Sequence, residues 1–350
     1  MLKTIFPTLS RFRLFIQVIM LLLTVYGSNV VGFYMAEKVS NALPALSCAY
    51  DQQNGAYCIL IPTQHQLHHR VGQAIVKAQQ FTLQMVVPLA FTLLTFFTFF
   101  FVLGKAFCGW VCPLGTLQEL IGKLGRRLNL PLRRFDSGNV GKVRPVKWLL
   151  LLTLVLALPL LTGLGVTPHS LGNPWCDICP SRIATTLLTG STEQMALRGG
   201  GIEFALGAIA NTLIGFVLVA AFAVRQPFCR ICPLLSFNAA FQRLSPLRLV
   251  KRQHDKCDKC GICAKACPMD IHEIAGEHGS KAYHEDCTLC GRCAEFCPDD
   301  GVIQMKWGPF SLFQSRRIYY KQRMKGEMPD STLSTLRTVP RQPANEAEHA

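Results

Sequence analysis

Hydrophobic residues gather in four long segments of the chain, and polar stretches separate them. The segments cover roughly residues 14–35, 81–104, 148–166 and 202–224, and none of them contains Lys or Arg. Each is close to the length of about 20 residues that a helix needs to cross the hydrocarbon core of a bilayer. The pattern therefore predicts an all-α membrane domain, residues 14–252, with four transmembrane helices.

The first segment follows Lys3, Arg11 and Arg13, an arrangement that also fits a signal peptide. Its apolar stretch is longer than a usual signal core of about 7–15 residues, and no convincing Ala-x-Ala site follows it. A retained anchor is therefore the favoured interpretation, with residues 1–13 as a short N-terminal segment.

Charge gives the expected orientation. Of the 350 residues 50% are hydrophobic, and the net charge is +15. Basic residues cluster beside the apolar segments, which favours contact with membrane lipid over nucleic acid. Of the 36 Lys and Arg, 31 lie in residues 1–13, 105–147 and 225–350. The positive-inside rule places these regions in the cytoplasm and loops 36–80 and 167–201 outside, in a multi-pass protein of a bacterial inner membrane.

Two cysteine runs near the C-terminus form an internal repeat. Residues 257–268 read CDKCGICAKACP and residues 287–298 read CTLCGRCAEFCP, each with the spacing C-x2-C-x2-C-x3-C-P. Such runs bind two [4Fe–4S] clusters, and the fourth Cys of each run ligates the other cluster. The predicted ligands are Cys257, Cys260, Cys263 and Cys297 for one cluster and Cys287, Cys290, Cys293 and Cys267 for the other. Zinc sites, the alternative, use C-x2-C pairs, so we expect a ferredoxin-like α+β domain over residues 253–305.

Membrane spans, the motif CGWVCP at residues 108–113, a later Cys-Pro motif and a two-cluster ferredoxin occur together over residues 81–305. In this the chain resembles the polyferredoxin-type membrane electron-transfer proteins, which include NapH, the C-terminal region of NosR and MauN. The resemblance implies a quinol-linked or ferredoxin-linked electron carrier that works with a partner redox enzyme.

Two further cysteine pairs follow the second and fourth apolar segments. They are Cys108 and Cys112 in FCGWVCP and Cys229 and Cys232 in FCRICP. Four thiolates could hold a third iron–sulfur cluster or a mononuclear metal, and the alternative is that the cysteines are small buried hydrophobic residues. The family pattern has C-x3-C-P at both places, whereas this chain has C-x2-C-P at the second.

Four more cysteines lie in the loops expected outside, namely Cys48, Cys58, Cys176 and Cys179. They could form disulfides, a redox-active C-x-x-C pair, or one metal or cluster site. His65, His68 and His69 would share one face of a helix. A solvated polar face is the favoured interpretation of these histidines, and metal binding or proton uptake from a quinol is the alternative.

No His lies inside any apolar segment, which argues against a haem held in mid-membrane, and the sequence shows no redox centre between the two faces. Residues 306–350 read as a basic amphipathic segment at 309–325 followed by a polar, disordered tail. No nucleotide loop and no nucleophile with its base stands out. The sequence thus predicts an electron-transfer subunit, quinol dehydrogenase-like, rather than a self-contained enzyme. The alternatives are a maturation or repair protein that reduces a periplasmic disulfide or metal centre, or an iron–sulfur regulator.

Overall fold

The computed structural model describes residues 9–31, 50–51, 55–56, 58–78, 82–197, 199–252, 257, 260–279 and 284–324. Cys48 and the predicted disordered tail beyond residue 324 lie outside these residues. The described chain is mostly helical, with a small C-terminal sheet.

Among the described residues the membrane domain contains nine α-helices, besides a π-helical turn at Phe107–Val111 and 3₁₀ turns at His169–Leu171, Glu193–Met195 and Phe228–Arg230. Three of them are long: α1 (Leu9–Val31), α3 (Leu83–Leu103) and α8 (Ile202–Ala223). Two others are interrupted by π-helical turns: α2 runs through Leu60–His65, Gln66–Gly72 and Gln73–Ala78, and α5 runs through Ser137–Leu150, Leu151–Ala157 and Leu158–Gly163. The short helices are α4 (Pro113–Arg127), α6 (Pro174–Ile178), α7 (Pro180–Leu188) and α9 (Pro233–Ala240). A two-stranded ladder pairs β1 (Tyr50–Asp51) with β2 (Gly55–Ala56).

Within the described residues, three helices are long and apolar enough to cross a membrane, at Leu83–Leu103, Gly138–Gly163 and Ile202–Ala223. They match the second, third and fourth predicted segments. Helix α1 occupies the first segment but starts earlier, and it carries Arg13, which is buried against Glu119 of α4. The structure thus supports three spans, and a fourth stays a prediction.

The two loops expected outside do not stay at the ends of the spans. Helix α2 packs against the π-helical middle and, more extensively, the C-terminal part of α5, and helices α6 and α7 pack against α8. The shared core contains Ile59, Trp175 and Ile183 from the loops together with Val155 and Ile214 from the spans. These loop segments are apolar enough to be buried, so they fold back between the long helices.

The ferredoxin domain extends beyond the predicted bounds of 253–305. Its antiparallel sheet has the order β3 (Leu247–Lys251), β4 (Ile303–Trp307) and β5 (Phe310–Gln314), with Leu249 opposite Met305. Two short helices follow the cysteine triplets, α10 (Ile262–Ala266) and α11 (Arg292–Phe296), and α12 (Arg317–Met324) closes the described chain. Within the basic amphipathic segment predicted at residues 309–325, residues 310–314 pair with β4 as a strand, and the helix begins only at Arg317.

Opposite charges hold the ferredoxin domain against the membrane domain. Arg144 and Lys147 of α5 pair with Asp286, and Arg230 pairs with Asp270 at 2.7 Å. Because these carboxylates are buried, removing one partner would leave an uncompensated charge. The position of the ferredoxin domain on the membrane domain is therefore well defined.

Candidate metal centres

The two ferredoxin runs fold into equivalent loops. Gly261 and Gly291 both adopt the left-handed conformation, with φ of 70° and 75°, and each precedes a five-residue helix. Glycine adopts this conformation without the steric cost that a Cβ would bring. The third cysteine of each run, Cys263 or Cys293, lies inside that helix.

In both predicted ligand groups, buried thiols lie close enough to raise one another's pKa. Burial and the neighbouring thiols of Cys260 and Cys257 raise the pKa of Cys263 to about 11, and the Cys263 thiol in turn lies close to Cys297. In the other group, burial and the thiols of Cys290 and Cys287 raise the pKa of Cys267 to about 12. The donor sets fit two cubane clusters, and the assignment of each ligand remains a prediction.

A cavity lies where the beginnings of α2, α4, α7 and α9 meet, and Cys108, Cys112, Cys229 and Cys232 line it. We call these four residues the first thiol set. Cys112 and Cys232 each stand directly before the first residue of a helix, Pro113 of α4 and Pro233 of α9. The packing of α4 against α8 brings the two cysteine pairs together, since α4 follows one pair and α8 precedes the other.

Polar side chains reach two sulfurs of the first thiol set. Asn238 Nδ2 donates to the Sγ of Cys108 at 3.4 Å, and Gln118 Nε2 points to the Sγ of Cys229 at 3.8 Å. Donors of this kind stabilise a metal-bound thiolate and tune the reduction potential of a cluster.

The chemistry of the cavity fits a metal cluster better than free thiolates. Burial, followed by the neighbouring Cys112 thiol, raises the pKa of Cys108 to about 12, and burial raises the pKa values of Cys229 and Cys232 further. Without a metal these thiols would be neutral at physiological pH. A bound cationic cluster core would supply the charge that makes them thiolates.

The first thiol set and the ferredoxin domain share a hydrophobic contact. Leu235, Met269 and Ile271 form a buried cluster. Packed against it are two thiols of the first set, Cys108 and Cys229, and two ferredoxin thiols, Cys267 and Cys287. Trp110, between Cys108 and Cys112, also donates from Nε1 to the carbonyl of Leu289 at 2.9 Å.

Comparisons with known proteins identify related iron–sulfur proteins. A family model described as a 4Fe-4S binding domain matches residues 84–131 and 207–252, and one described as a 4Fe-4S dicluster domain matches residues 256–303. The chain is 30% identical over 203 residues to the uncharacterized protein MJ0750 of Methanocaldococcus jannaschii, covering 57% of this chain and 68% of that protein. The chain belongs to the polyferredoxin-type family of electron transport proteins. The regions of the first family match include both cysteine pairs of the first thiol set.

The chain matches only part of the length of two other relatives. The regulatory protein NosR of Pseudomonas aeruginosa is 30% identical over 189 residues, which are 53% of this chain and 23% of NosR. The methylamine utilization ferredoxin-type protein MauN of Methylobacillus flagellatus is 26% identical over 179 residues, which are 51% of this chain and 53% of MauN. No solved structure matches the chain.

The structure corrects the expected separation of the remaining cysteines. Cys58, Cys176 and Cys179, which we call the second thiol set, were expected on the opposite side of the membrane from the first. Instead, Cys58 and Cys179 line the same cavity as the first thiol set. Cys176 is buried beside them and accepts a hydrogen bond from Gln64 Nε2 at 3.0 Å. The reason is the folding of α2, α6 and α7 between the spans.

Of the three histidines predicted to share a helix face, His68 is buried, His69 is half-buried and His65 is exposed. His68 is 1% exposed, and its ring stacks on that of His69 with centroids 4.0 Å apart. His169, from a distant loop, joins them, and ring nitrogens of the three lie within 4.8 Å of one another. These nitrogens are close enough to hold a metal ion, which was the less favoured interpretation of the sequence.

Sequence reasoning missed two polar residues that reach cysteine sulfurs, Gln64 and Gln118, and both are almost fully buried. Each lies six residues after a cysteine, Cys58 or Cys112. That repeated spacing was the signal that could have found them.

Proposed function

We propose that this polyferredoxin carries electrons in a bacterial inner membrane, and that Cys108, Cys112, Cys229 and Cys232 hold a third iron–sulfur centre. The observation that carries the proposal is the shared contact at Leu235, Met269 and Ile271, where ferredoxin thiols and thiols of the first set pack on the same side chains. When bound, a [4Fe–4S] cluster accepts or donates one electron at a time.

The residues at the domain interface keep the two sites at a fixed separation. The Nε1 of Trp110 is bonded to the Leu289 carbonyl, and a Cβ on Gly109 would press against the carbonyl of Thr288. Arg230, between Cys229 and Cys232, donates to the carbonyls of Met269 and Pro268. Backbone contacts on both sides of the first thiol set therefore hold it against the loops that carry the ferredoxin cysteines.

Electrons would enter from a quinol or a cytoplasmic donor and leave to a partner redox enzyme. A quinol gives up two electrons and two protons, so a carrier with one-electron centres would take the electrons in successive steps. The family membership and the ferredoxin-type relative from methylamine utilization support such a role. The chain would then act as a subunit of a larger redox system.

The third centre can be tested by metal content. Full-length chain purified anaerobically in detergent should contain at least about twelve iron and twelve acid-labile sulfide, and Cys112→Ser/Cys232→Ser should lose about four of each. Ser236→Ala, a buried change on the same helix α9 but outside the cavity lining, should keep the wild-type content. Unchanged iron in the double cysteine variant would contradict the third centre.

Electron transfer can be tested in membranes. Adding a soluble quinol to membranes that contain the chain and its partner enzyme should bleach the cluster absorbance, and dithionite should reveal the full reducible amount. Dithionite reduction without any quinol-dependent reduction would rule out the quinol as donor and leave the cytoplasmic donor.

A further inference from the structure

The membrane domain contains a second copy of the unit that builds the first thiol set. Residues 174–180 read PWCDICP and residues 227–233 read PFCRICP, so five of seven positions are identical. In both, the last Cys precedes a Pro that begins a helix. The backbone angles of Cys179 (φ −70°, ψ 118°) and Cys232 (φ −68°, ψ 121°) are almost the same.

Each copy is held by a glutamine in the same way. Gln118, six residues after Cys112, accepts from the backbone N–H of Phe228 at 3.1 Å and points its Nε2 to the Sγ of Cys229. Gln64, six residues after Cys58, accepts from the N–H of Trp175 at 3.3 Å and donates to the Sγ of Cys176 at 3.0 Å. Both amides also donate to the carbonyl four residues earlier in their helix.

The two copies face each other across one cavity. The lining contains five pairs of equivalent residues, one residue of each pair from each copy. The pairs are Cys58/Cys112, Leu60/Leu114, Trp175/Phe228, Cys179/Cys232 and Ser181/Leu234. The aromatic rings of Trp175 and Phe228 stack where the copies meet, 6.1 Å apart and 15° from parallel. The arrangement is an approximate two-fold repeat.

We propose that Cys58, Cys176 and Cys179 form a second cluster site in the membrane domain, equivalent to the first thiol set and taking an iron–sulfur cluster of its own. The inference rests on the proposed function, because the second thiol set is expected to bind a cluster only if the equivalent first set does. The three thiolates would each bind one iron. Cys108 has no cysteine counterpart, since Asn54 stands four residues before Cys58.

The hydrogen bonding favours a cluster over a disulfide between Cys176 and Cys179. A buried amide donor on a sulfur suits a metal-bound thiolate, which is a stronger acceptor than a disulfide sulfur. The equivalent donor, Gln118, reaches the Sγ of Cys229. Cys229 lies in a region that the 4Fe-4S binding domain family matches.

The second site lies farther from the ferredoxin domain than the first. Helix α5 shows the direction. Lys147, directly before the apolar stretch of α5, pairs with Asp286 of the ferredoxin domain, whereas Gly163 at the C-terminal end of α5 packs on the carbonyl of His68. Gln64 is one helical turn before His68, and α6 packs against the π-helical middle of α5. The second site thus lies between the two ends of the spans, where the sequence showed no redox centre.

Metal content of matched variants tests the proposal on the full-length chain in detergent, purified anaerobically. Cys176→Ser/Cys179→Ser should lose about three to four iron and about four sulfide relative to wild type, and the ferredoxin signals in electron paramagnetic resonance should remain. Cys229→Ser/Cys232→Ser should independently lose the iron and sulfide of the first site. The variant with all four changes should lose the iron and sulfide of both sites. Thr186→Ala, a buried change on the same helix α7 but outside the cavity lining, should retain wild-type iron.

Several results would overturn the second site. Unchanged iron in Cys176→Ser/Cys179→Ser would do so and would leave the first site standing. If both double variants lose the same iron and the combined variant loses no more, the cavity holds one shared cluster. A Cys176–Cys179 disulfide, seen as a peptide two mass units lighter that resists alkylation, would also exclude it.

If Cys176→Ser/Cys179→Ser fails to fold, Gln64→Met keeps every cysteine and serves instead. It should shift the potential of one non-ferredoxin centre while the iron content stays constant. An unchanged redox titration in a fully loaded Gln64→Met chain would count against the second site.

Discussion

The ferredoxin domain and the first thiol set both bring cysteines together, but by different means. In the ferredoxin domain, three cysteines of each group stand within seven consecutive residues, and a short loop with one left-handed glycine arranges them. In the first thiol set, Cys112 and Cys229 are separated by 116 intervening residues. Only the packing of α4 against α8 brings them together. The first kind of site depends on local sequence, and the second depends on the tertiary fold.

Arg230 contacts both the first thiol set and the ferredoxin domain, and its replacement should have the largest effect on stability. It stands between two thiols of the first set, is buried, and donates to Asp270 at 2.7 Å as well as to two ferredoxin carbonyls. Arg230→Met should destabilise the chain by about 3–5 kcal/mol, because buried acceptors and a buried carboxylate lose their partner. The midpoint of cluster loss in a denaturant series, measured in detergent, would report it.

Arg134→Met is the matched control. Arg134 also pairs with Asp270, at 3.0 Å, but its side chain is 29% exposed and Asp270 would keep Arg230. The expected cost is about 1 kcal/mol or less. Equal midpoints for the two variants would show that Arg230 does not join the regions.

A substitution at Gly125 tests whether the first thiol set can be disrupted while the ferredoxin domain stays intact. A Cβ at this position in α4 would press against the backbone carbonyl of Phe222 in α8. Gly125→Ala should cost about 1–3 kcal/mol by overpacking and should push apart the helices that assemble the first thiol set. We expect loss of about four iron and four sulfide from the membrane domain while the ferredoxin keeps about eight of each.

The control for this change is Gly215→Ala in α8, where an added Cβ meets nothing within 4 Å. It should leave the iron content at the wild-type value. Uniform loss of iron from both regions in Gly125→Ala would mean that the ferredoxin also depends on this helix contact, and the distinction between the regions would fail.

The same distinction explains what could be predicted from the sequence. The cysteine grouping in the ferredoxin follows from spacing, and three spans follow from apolar length. The position of the second thiol set between the helices could not be predicted from the sequence. Charge counts place a loop on one side of a membrane and do not show that the loop folds back between the helices. Trp175 and Ile183 are buried in the shared core, which only the tertiary structure reveals.

The fold of residues 310–314 shows a different limit. The segment reads FSLFQ, with three apolar and two polar residues, and short segments of this kind are ambiguous between helix and strand from periodicity alone. Pairing with β4 decides in favour of the strand. The repeat of residues 174–180 and 227–233, in contrast, was readable, but it spans two loops that the charge pattern had assigned to opposite faces.

The smallest expected effects come from the two ferredoxin glycines. Gly261 and Gly291 have almost equal positive φ values, so an alanine at either site should cost about 1–2 kcal/mol. An added Cβ at Gly261 meets nothing within 4 Å, whereas at Gly291 it would come within 2.5 Å of Leu9 in α1. Gly291→Ala should therefore be the more destabilising of the pair, as measured by the temperature at which the ferredoxin signal is lost.

Gly276→Ala is the control, because Gly276 has a negative φ of −98° and open space for a Cβ. It should change the temperature of signal loss little. If Gly261→Ala and Gly291→Ala are equally destabilising, the side chain of Leu9 moves aside and α1 adds nothing to the ferredoxin loop. If Gly291→Ala is worse, even the locally specified half of the molecule depends on a contact from the membrane domain.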